Sequence, residues 1–578
     1  MKSLLLVVVT INLIIAGCSG GGNTPVPSPT TEPSSDEAAQ QIATSIADST
    51  SPATSVPVKQ LWTGNPTVQT SYGDVKAFDD EANTWVWKAI PFAQPPIGNL
   101  RWKAPRDPEY WNEIREEKEF CSPCTQYDAY LGTKIIGNED CLYLNIWRPQ
   151  SEKTKLPVYV WIHGGGNSNG SAFFNEGYYG ASLSSKSDMI FVSVNYRLGP
   201  MGWFTHPATR TGDTNDTLDN SGNYGTLDLI KSLQWIQENI EAFGGDPGNV
   251  IIAGESAGGL NVLSLLISPL AKGLFHKAIS MSGLRRTSTV ADGDASANDA
   301  ILYMLINDAE AEDEVAAKAL LDSMSMAEVK TYLSSKTSAE ILGAYDSPGF
   351  GMITFPDLFR DGTVLPDIGF DTLDTGYYPN KVPIILGSTK DEQKTFLFMN
   401  PAFTGDDELY QRTASYMTDL WKADGVDEIA MQLSSHSDQP AVYAYQFLWG
   451  SLDETSQSVL PDEWGFRLGA AHSIDIPFFL GSDTGPLGIL GLYTEENRVS
   501  REALTDAILA YQTEFALTGD PNGLGTKFFE WKPWSNDVDA PKCLLLDADI
   551  NGNLRMQISA QALTASGIKE ESKHNDTP

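Results

Sequence analysis

Cysteine, histidine and positive charge are all in short supply in this chain of 578 residues. Five cysteines are too few for a disulfide scaffold, although one or two staples remain available. Lysine and arginine number 39 against 75 aspartates and glutamates, a formal net charge of −36. That balance excludes a nucleic-acid partner held through basic clusters that neutralise phosphate. It equally excludes docking on an anionic membrane through a basic face. With six histidines, any histidine-dependent chemistry has six candidates. Apolar and aromatic material is plentiful: 41% of the chain is hydrophobic, with 14 Trp, 21 Tyr and 23 Phe. This excludes disorder throughout and supplies a large core. The length would admit several average domains, but large single-core α/β enzymes also reach it.

The apolar run at the N-terminus, Leu4 to Ile15 behind Lys2, falls short of the roughly 20 residues a membrane-spanning helix needs. It reads as the core of a signal peptide. The run ends in Ile15-Ala16-Gly17-Cys18, which resembles the bacterial lipoprotein box. There the cysteine is lipidated and becomes the mature N-terminus. An ordinary secretory signal containing a cysteine is the alternative. Multiple acyl chains anchor stably, since each buried CH₂ contributes about 0.8 kcal/mol. Ser19 stands where Asp would mark inner-membrane retention, so export and attachment to the outer membrane, on its periplasmic or surface face, are expected. Residues 1–17 are thus a leader and 18–57 a Ser/Thr/Pro/Gly-rich tether that cannot bury enough apolar surface to order itself. Residues 58–568 read as one catalytic domain and 569–578 as a polar tail.

The chemistry centres on residues 243–267. Val250 to Ala253 is a short apolar run bounded by turn residues, as expected for a buried parallel strand. Gly254-Glu255-Ser256-Ala257-Gly258 then fits Gly-x-Ser-x-Gly, and Leu260 to Ile267 continues as an apolar helix. Strand, tight turn and helix in that order describe the nucleophile elbow of α/β-hydrolases. The glycines are needed because side chains two positions either side of the serine would collide with neighbouring backbone. A serine hydroxyl is a weak nucleophile and needs a base, an orienting acid and an oxyanion site. The strand Leu156 to Ile162 is followed by His163-Gly164-Gly165-Gly166, whose glycines let N–H groups turn toward a ligand. A phosphate-cradling loop would require a Lys-Ser/Thr that is missing. Gly165, Gly166 and Ala257 are the expected oxyanion donors, and His163 is expected to support the loop.

Ordered landmarks run along nearly the whole domain. They are Lys88 to Gly98, Arg101-Trp102, Glu139 to Trp147, Asn195 to Gly199, Gln234 to Ile240, the elbow, Gly273 to Gly283 and Thr518 to Asn522. In these residues the chain resembles the type-B carboxylesterases of the cholinesterase/carboxylesterase family over roughly residues 60 to 550. The resemblance implies an α/β-hydrolase fold: a large, mostly parallel twisted sheet flanked by helices, with long insertions forming an active-site gorge. It implies a carboxylic-ester hydrolase with no cofactor and no metal, acting on a small-molecule ester, and a monomer is expected.

The family orders its triad serine, acid, histidine. Pro383 to Gly387 reads as a buried strand, and the resemblance places the acid just beyond it at Glu392, with Asp391 as the fallback. Gln393 stands where the family pattern has glycine, which removes backbone freedom beside the acid. Three histidines follow the acid. His574 lies in the charged tail, His436 in a polar loop, and His472 in Ala470-Ala471-His472-Ser473-Ile474-Asp475-Ile476-Pro477-Phe478, which resembles the family's His-x-x-(Asp/Glu) motif. His472 is therefore the expected base, with activity falling below about pH 6.5 as an ordinary imidazole protonates.

Cys121-Ser122-Pro123-Cys124 has redox or zinc spacing, but no second pair follows. By resemblance Cys124 pairs with Cys141. Cys121 is left free, paired with Cys543, or competing for Cys141. Asp547 to Gly552 imitates the start of a calcium loop, but Ile558 replaces the bidentate Glu at its twelfth position. The stretch Thr125 to Asp140 lacks the tryptophan with which cholinesterases face choline, which argues against quaternary-ammonium esters. Asn167 follows the three glycines, where the family often has an aromatic residue, and is expected to widen the gorge. A catalytically inactive esterase-like binding module is the rival class, and carbamates, amides or bulky natural-product esters are alternative substrates. An intact Ser/Glu/His set favours the enzyme.

Overall fold

The apolar run Leu156–Ile162 forms a strand in which all seven side chains are buried, the signature of a strand covered on both faces. The computed structural model describes residues 61–574 except 130, 131, 133, 348 and 524–527. The expected leader, Cys18 and the tether lie outside the described residues.

Among the described residues the main sheet has 11 strands. In chain order these are β1 (Phe78–Asp80), β2 (Thr84–Pro91), β3 (Tyr143–Pro149), β4 (Leu156–Ile162), β5 (Ile190–Val194), β6 (Gly245–Glu255), β7 (Lys277–Met281), β8 (Ile384–Thr389), β9 (Val442–Phe447), β10 (Cys543–Leu546) and β11 (Gln557–Ser559). Their spatial order is β11-β10-β9-β8-β7-β6-β4-β5-β3-β2-β1. The run from β5 to β10 is parallel, and antiparallel strands finish both ends. The expected mostly parallel sheet is present.

Alternate residues of β4 divide between two apolar layers. Val158, Val160 and Ile162 join Leu233 and Ile236 of α1 (Tyr224–Asn239) and Leu260 and Leu263 of α2 (Ala257–Ile267). Tyr159 and Trp161 pack in the layer that holds Leu504, Ile508 and Tyr511 of a long helix near the C-terminus (Arg498–Thr518). Helices therefore cover both faces, as the period-2 geometry of a buried strand requires.

Several landmarks from the sequence are structural ties. Arg197 grips Asp228 of α1 through Nε and Nη2, both at 2.7 Å, and both side chains are buried. Arg101 makes a two-pronged contact with Glu139 at 2.7 and 2.5 Å, and Trp102 Nε1 donates to Pro200 O at 2.8 Å.

The functional segments gather at the C-terminal ends of the parallel strands, where ligands of such sheets bind. Ser256 follows β6 and the glycine loop follows β4, its hydrogen-bonded neighbour. The turn after β8 carries Glu392, and Asp391 bridges in parallel to Ala471, which draws the His472 loop alongside. Helical insertions between β7 and β8, among them Val290–Asn307 and Met326–Ser335, lead to Met352, whose Sδ reaches the glycine loop. Ala565–His574 is a helix, which takes in the first six residues of the expected polar tail; residues 575–578 lie outside the described residues.

Candidate active site

Ser256 occupies the corner between β6 and α2 with φ 59° and ψ −122°, a strained backbone for any residue with a side chain. The corner is pinned because Ser256 N donates to Met281 O at 2.9 Å and Ser256 O accepts from Leu260 N at 2.9 Å. A Cβ at Gly258 would lie 2.0 Å from Ile162 O, and one at Gly254 would lie 2.5 Å from Gly258 C. The two glycines are what let α2 fold back against β4 and β6. The turn thrusts the serine side chain forward while its neighbours stay buried.

Glu392 is fully buried and saturated with donors. Its Oε1 accepts from Ser282 Oγ and from Thr389 N, both at 2.6 Å. Its Oε2 lies 2.5 Å from His472 Nδ1. The fallback Asp391 is occupied elsewhere, accepting from Ser451 Oγ at 2.5 Å and Ala470 N at 3.0 Å and pairing with Lys394 at 2.9 Å. Gln393 adopts right-handed helical geometry (φ −75°), so the turn makes no use of glycine's freedom. His436 and His276 are held in place structurally. His436 Nε2 lies 2.7 Å from Leu373 O, and His276 Nδ1 accepts from Val250 N at 3.1 Å.

The second nitrogen of His472 faces the elbow, with Nε2 3.1 Å from Oε1 of Glu255, the residue before Ser256. Glu255 also accepts from Ser473 Oγ at 2.8 Å. Burial alone would lower the imidazole pKa, but Glu255 and Glu392 on either side outweigh it and push His472 up to about 9. Asp475 lies in the same cluster, accepting from Tyr445 OH at 2.8 Å. Burial, reinforced by the carboxylates of Glu255 and Glu392, pushes Asp475 up to about 8. Phe396 and Trp421 flank the imidazole with ring centroids 5.2 and 5.1 Å away.

The glycine loop lies against the serine: a Cβ at Gly164 would approach Ser256 Cβ to 3.1 Å. Gly165 (φ 101°) and Gly166 (φ 64°) adopt left-handed backbone conformations, and a Cβ at Gly165 would meet Asn169 O at 2.3 Å. Ala257 is the first residue of α2, a position whose N–H has no partner within the helix. His163 supports this loop from within. It is buried, stacks on Tyr196 at 4.5 Å and lies 2.8 Å from Gly164 O through Nδ1. Burial pushes its pKa down to about 4, so it stays neutral.

A strained serine beside a glycine loop, with an imidazole clasped by a buried carboxylate, is the furniture of acyl transfer. The family model described as "Carboxylesterase family" matches residues 64–408. This chain belongs to the carboxylesterase family. It is a carboxylic-ester hydrolase. It is 31% identical to the para-nitrobenzyl esterase of Bacillus subtilis (strain 168) over 513 residues, 84% of this chain and 95% of the relative. The fumonisin B1 esterase of Sphingopyxis macrogoltabida is 32% identical over 440 residues, 74% of each chain. Among solved structures, a carboxylesterase of Geobacillus stearothermophilus superposes with a TM-score of 0.66 at 27% identity, covering 86% of this chain and 98% of that one.

Against this background one expectation for the carboxylesterase changes. Asn167 does not line the gorge. Its side chain is fully buried and bonded to Asp357 and Asn261, because its left-handed backbone (φ 57°) turns the amide inward. Cys124 and Cys141 do form a disulfide, with Cα atoms 5.0 Å apart, while Cys121 and Cys543 are free thiols, which closes the two other arrangements. The imitation calcium loop is a turn in which Asp549 Oδ1 accepts from Asn551 N and Asn553 N.

Sequence reasoning missed Glu255, Ser282, Asp475, Phe396 and Trp421 as members of the site. Glu255 carried a usable signal, since a carboxylate ending a buried strand beside the nucleophile must find a partner. Phe396 and Trp421 carried none, because they come from two helices, Lys394–Leu397 and Asp407–Lys422, whose packing on His472 is a long-range event.

Proposed function

We propose that this carboxylesterase works through an acyl-enzyme on Ser256. His472 removes the hydroxyl proton as Oγ attacks the ester carbonyl, and returns it to the departing alkoxide. Water, deprotonated by the same imidazole, then attacks the acyl carbonyl and frees the acid and the serine. Glu392 fixes the tautomer by accepting from Nδ1 and stabilises the imidazolium formed in each half-reaction. The N–H groups of Gly165, Gly166 and Ala257 hold the negative oxygen of both tetrahedral intermediates. The observation that carries this reading is the 2.5 Å contact between His472 Nδ1 and buried Glu392, at the strained elbow of Ser256.

The rings of Phe396 and Trp421 beside the imidazole support a preference for apolar or aryl esters. Hydrolysis of a series of aryl esters of increasing acyl length by wild type and Ser256→Ala tests both points. Wild type should turn over the apolar members, and the variant should lose about 10⁶ in kcat. Retained turnover in the variant would refute the acyl-enzyme.

From the sequence alone we further propose that Cys18 is lipidated and that the enzyme is exported and tethered to a bacterial outer membrane as a monomer. Metabolic labelling with a fatty acid should mark the wild type and not Cys18→Ala. Equal labelling of the two would refute the anchor.

A further inference from the structure

We propose that Asn167 is a positioning residue that clamps the oxyanion loop to the nucleophile helix; this rests on the oxyanion assignment made above. Asn167 directly follows Gly166, and its side chain reaches two elements at once. Its Nδ2 donates to Asp357 Oδ2 at 2.8 Å, and its Oδ1 accepts from Asn261 Nδ2 at 2.8 Å. Its backbone oxygen accepts from Gly199 N at 2.7 Å. Asn261 belongs to α2, one turn beyond Ala257. The oxyanion site draws two donors from the loop and one from that helix. A single amide therefore fixes the spacing between the two sources of donors.

The chemistry of the position is restrictive. All three side chains are buried: Asn167 and Asn261 are 0% exposed and Asp357 1%. Asp357 accepts and Asn261 Nδ2 donates, and an amide supplies the matching donor and acceptor on two separate atoms. Asn also tolerates the left-handed backbone found here. The same Asp357 Oδ2 also accepts from Arg286 Nη2 at 2.9 Å, so its charge is compensated at the edge of the network. Truncation of Asn167 would leave the buried Asn261 Nδ2 without this acceptor and Asp357 with Arg286 but without its amide donor, and would cut the side-chain link between the loop and α2.

A clamp of this kind acts on the transition state, because the donors must meet the oxygen where its charge develops. Asn167→Ala should lower kcat by about 10²-fold with KM changed less than about threefold, the pattern of an interaction made only in the transition state. Affinity for an aryl trifluoromethyl ketone, which forms a tetrahedral oxyanion on the serine, should fall in parallel with kcat/KM. A donor–acceptor swap keeps the test sound should the alanine variant fail to fold. Asn167→Asp alone places two carboxylates together and should lose kcat. Adding Asp357→Asn returns a donor to the pair and should recover most of the loss.

Unchanged kcat and ketone affinity in Asn167→Ala would overturn the clamp. So would a loss of kcat without a loss of ketone affinity, or a swap that recovers thermal stability but not kcat. Failure of the underlying reading is separately visible: wild type would then not be labelled at Ser256 by a fluorophosphonate, and the clamp would fall with it.

Discussion

His472, the proposed base, sits between two carboxylates, Glu392 at 2.5 Å and Glu255 at 3.1 Å, and the proposed mechanism ties the enzyme's pH response to them. A general base must be neutral to accept a proton, so activity is lost as pH falls through its pKa. For an ordinary imidazole that limb lies near pH 6.5, the expectation from sequence. The two carboxylates favour the charged form and push His472 up to about 9, so the acid limb of kcat/KM moves to alkaline pH. Glu255→Gln removes one of those charges and should shift the limb back toward lower pH. An acid limb in the same place for wild type and variant would show that Glu255 leaves the base unaffected. At this scale the sequence was informative where chemistry is contiguous. Ser256 and its glycines, and the glycine loop, are single short segments. Glu392 and His472 came only through family resemblance, since 80 residues separate them. The direction of the Asn167 side chain depends on one backbone angle and could not be read.

Elements fail or hold through close contacts between backbones. The crossing of α2 over β4 leaves no room at Gly258, where a Cβ would lie 2.0 Å from Ile162 O. Gly258→Ala should cost more than about 3 kcal/mol, because neither backbone can retreat without breaking the β4–β6 pairing. A thermal melt of the variant within a few degrees of wild type would contradict that. The disulfide closes a separation of 17 residues. Cys124→Ser should therefore lower stability by about 3 kcal/mol in the chain-entropy model, measured by denaturant unfolding; an unchanged midpoint would argue against that contribution. Strands β4, β6 and β8 were legible as apolar runs bounded by turns. The C-terminal helix Ala565–His574 was not, since its charged composition also suits a solvated tail.

For the whole molecule, the net charge of −36 governs solubility more than fold. An enzyme with this acidic balance is expected to stay soluble and active in molar salt, and precipitation or inactivation there would contradict it. The buried pair Arg197–Asp228 joins a loop after β5 to α1 deep in the molecule. Arg197→Ala leaves an uncompensated carboxylate and should destabilise by about 3–5 kcal/mol. Fold class was legible because alternating strand and helix patterns and ordered landmarks span the domain. In the insertions between β7 and β8 the helix starts carry a local signature, the capping boxes at Thr289, Ser325 and Thr337, but their placement was not legible because it rests on tertiary contacts.

The proposed mechanism turns on Ser256 as the activated nucleophile. Treatment of the full chain with a fluorophosphonate, followed by peptide mass spectrometry, addresses it directly. One stoichiometric adduct is expected on the peptide containing Ser256, with loss of ester hydrolysis in step with labelling and no adduct in Ser256→Ala. An adduct on another residue, or hydrolysis that survives complete labelling of Ser256, would contradict it.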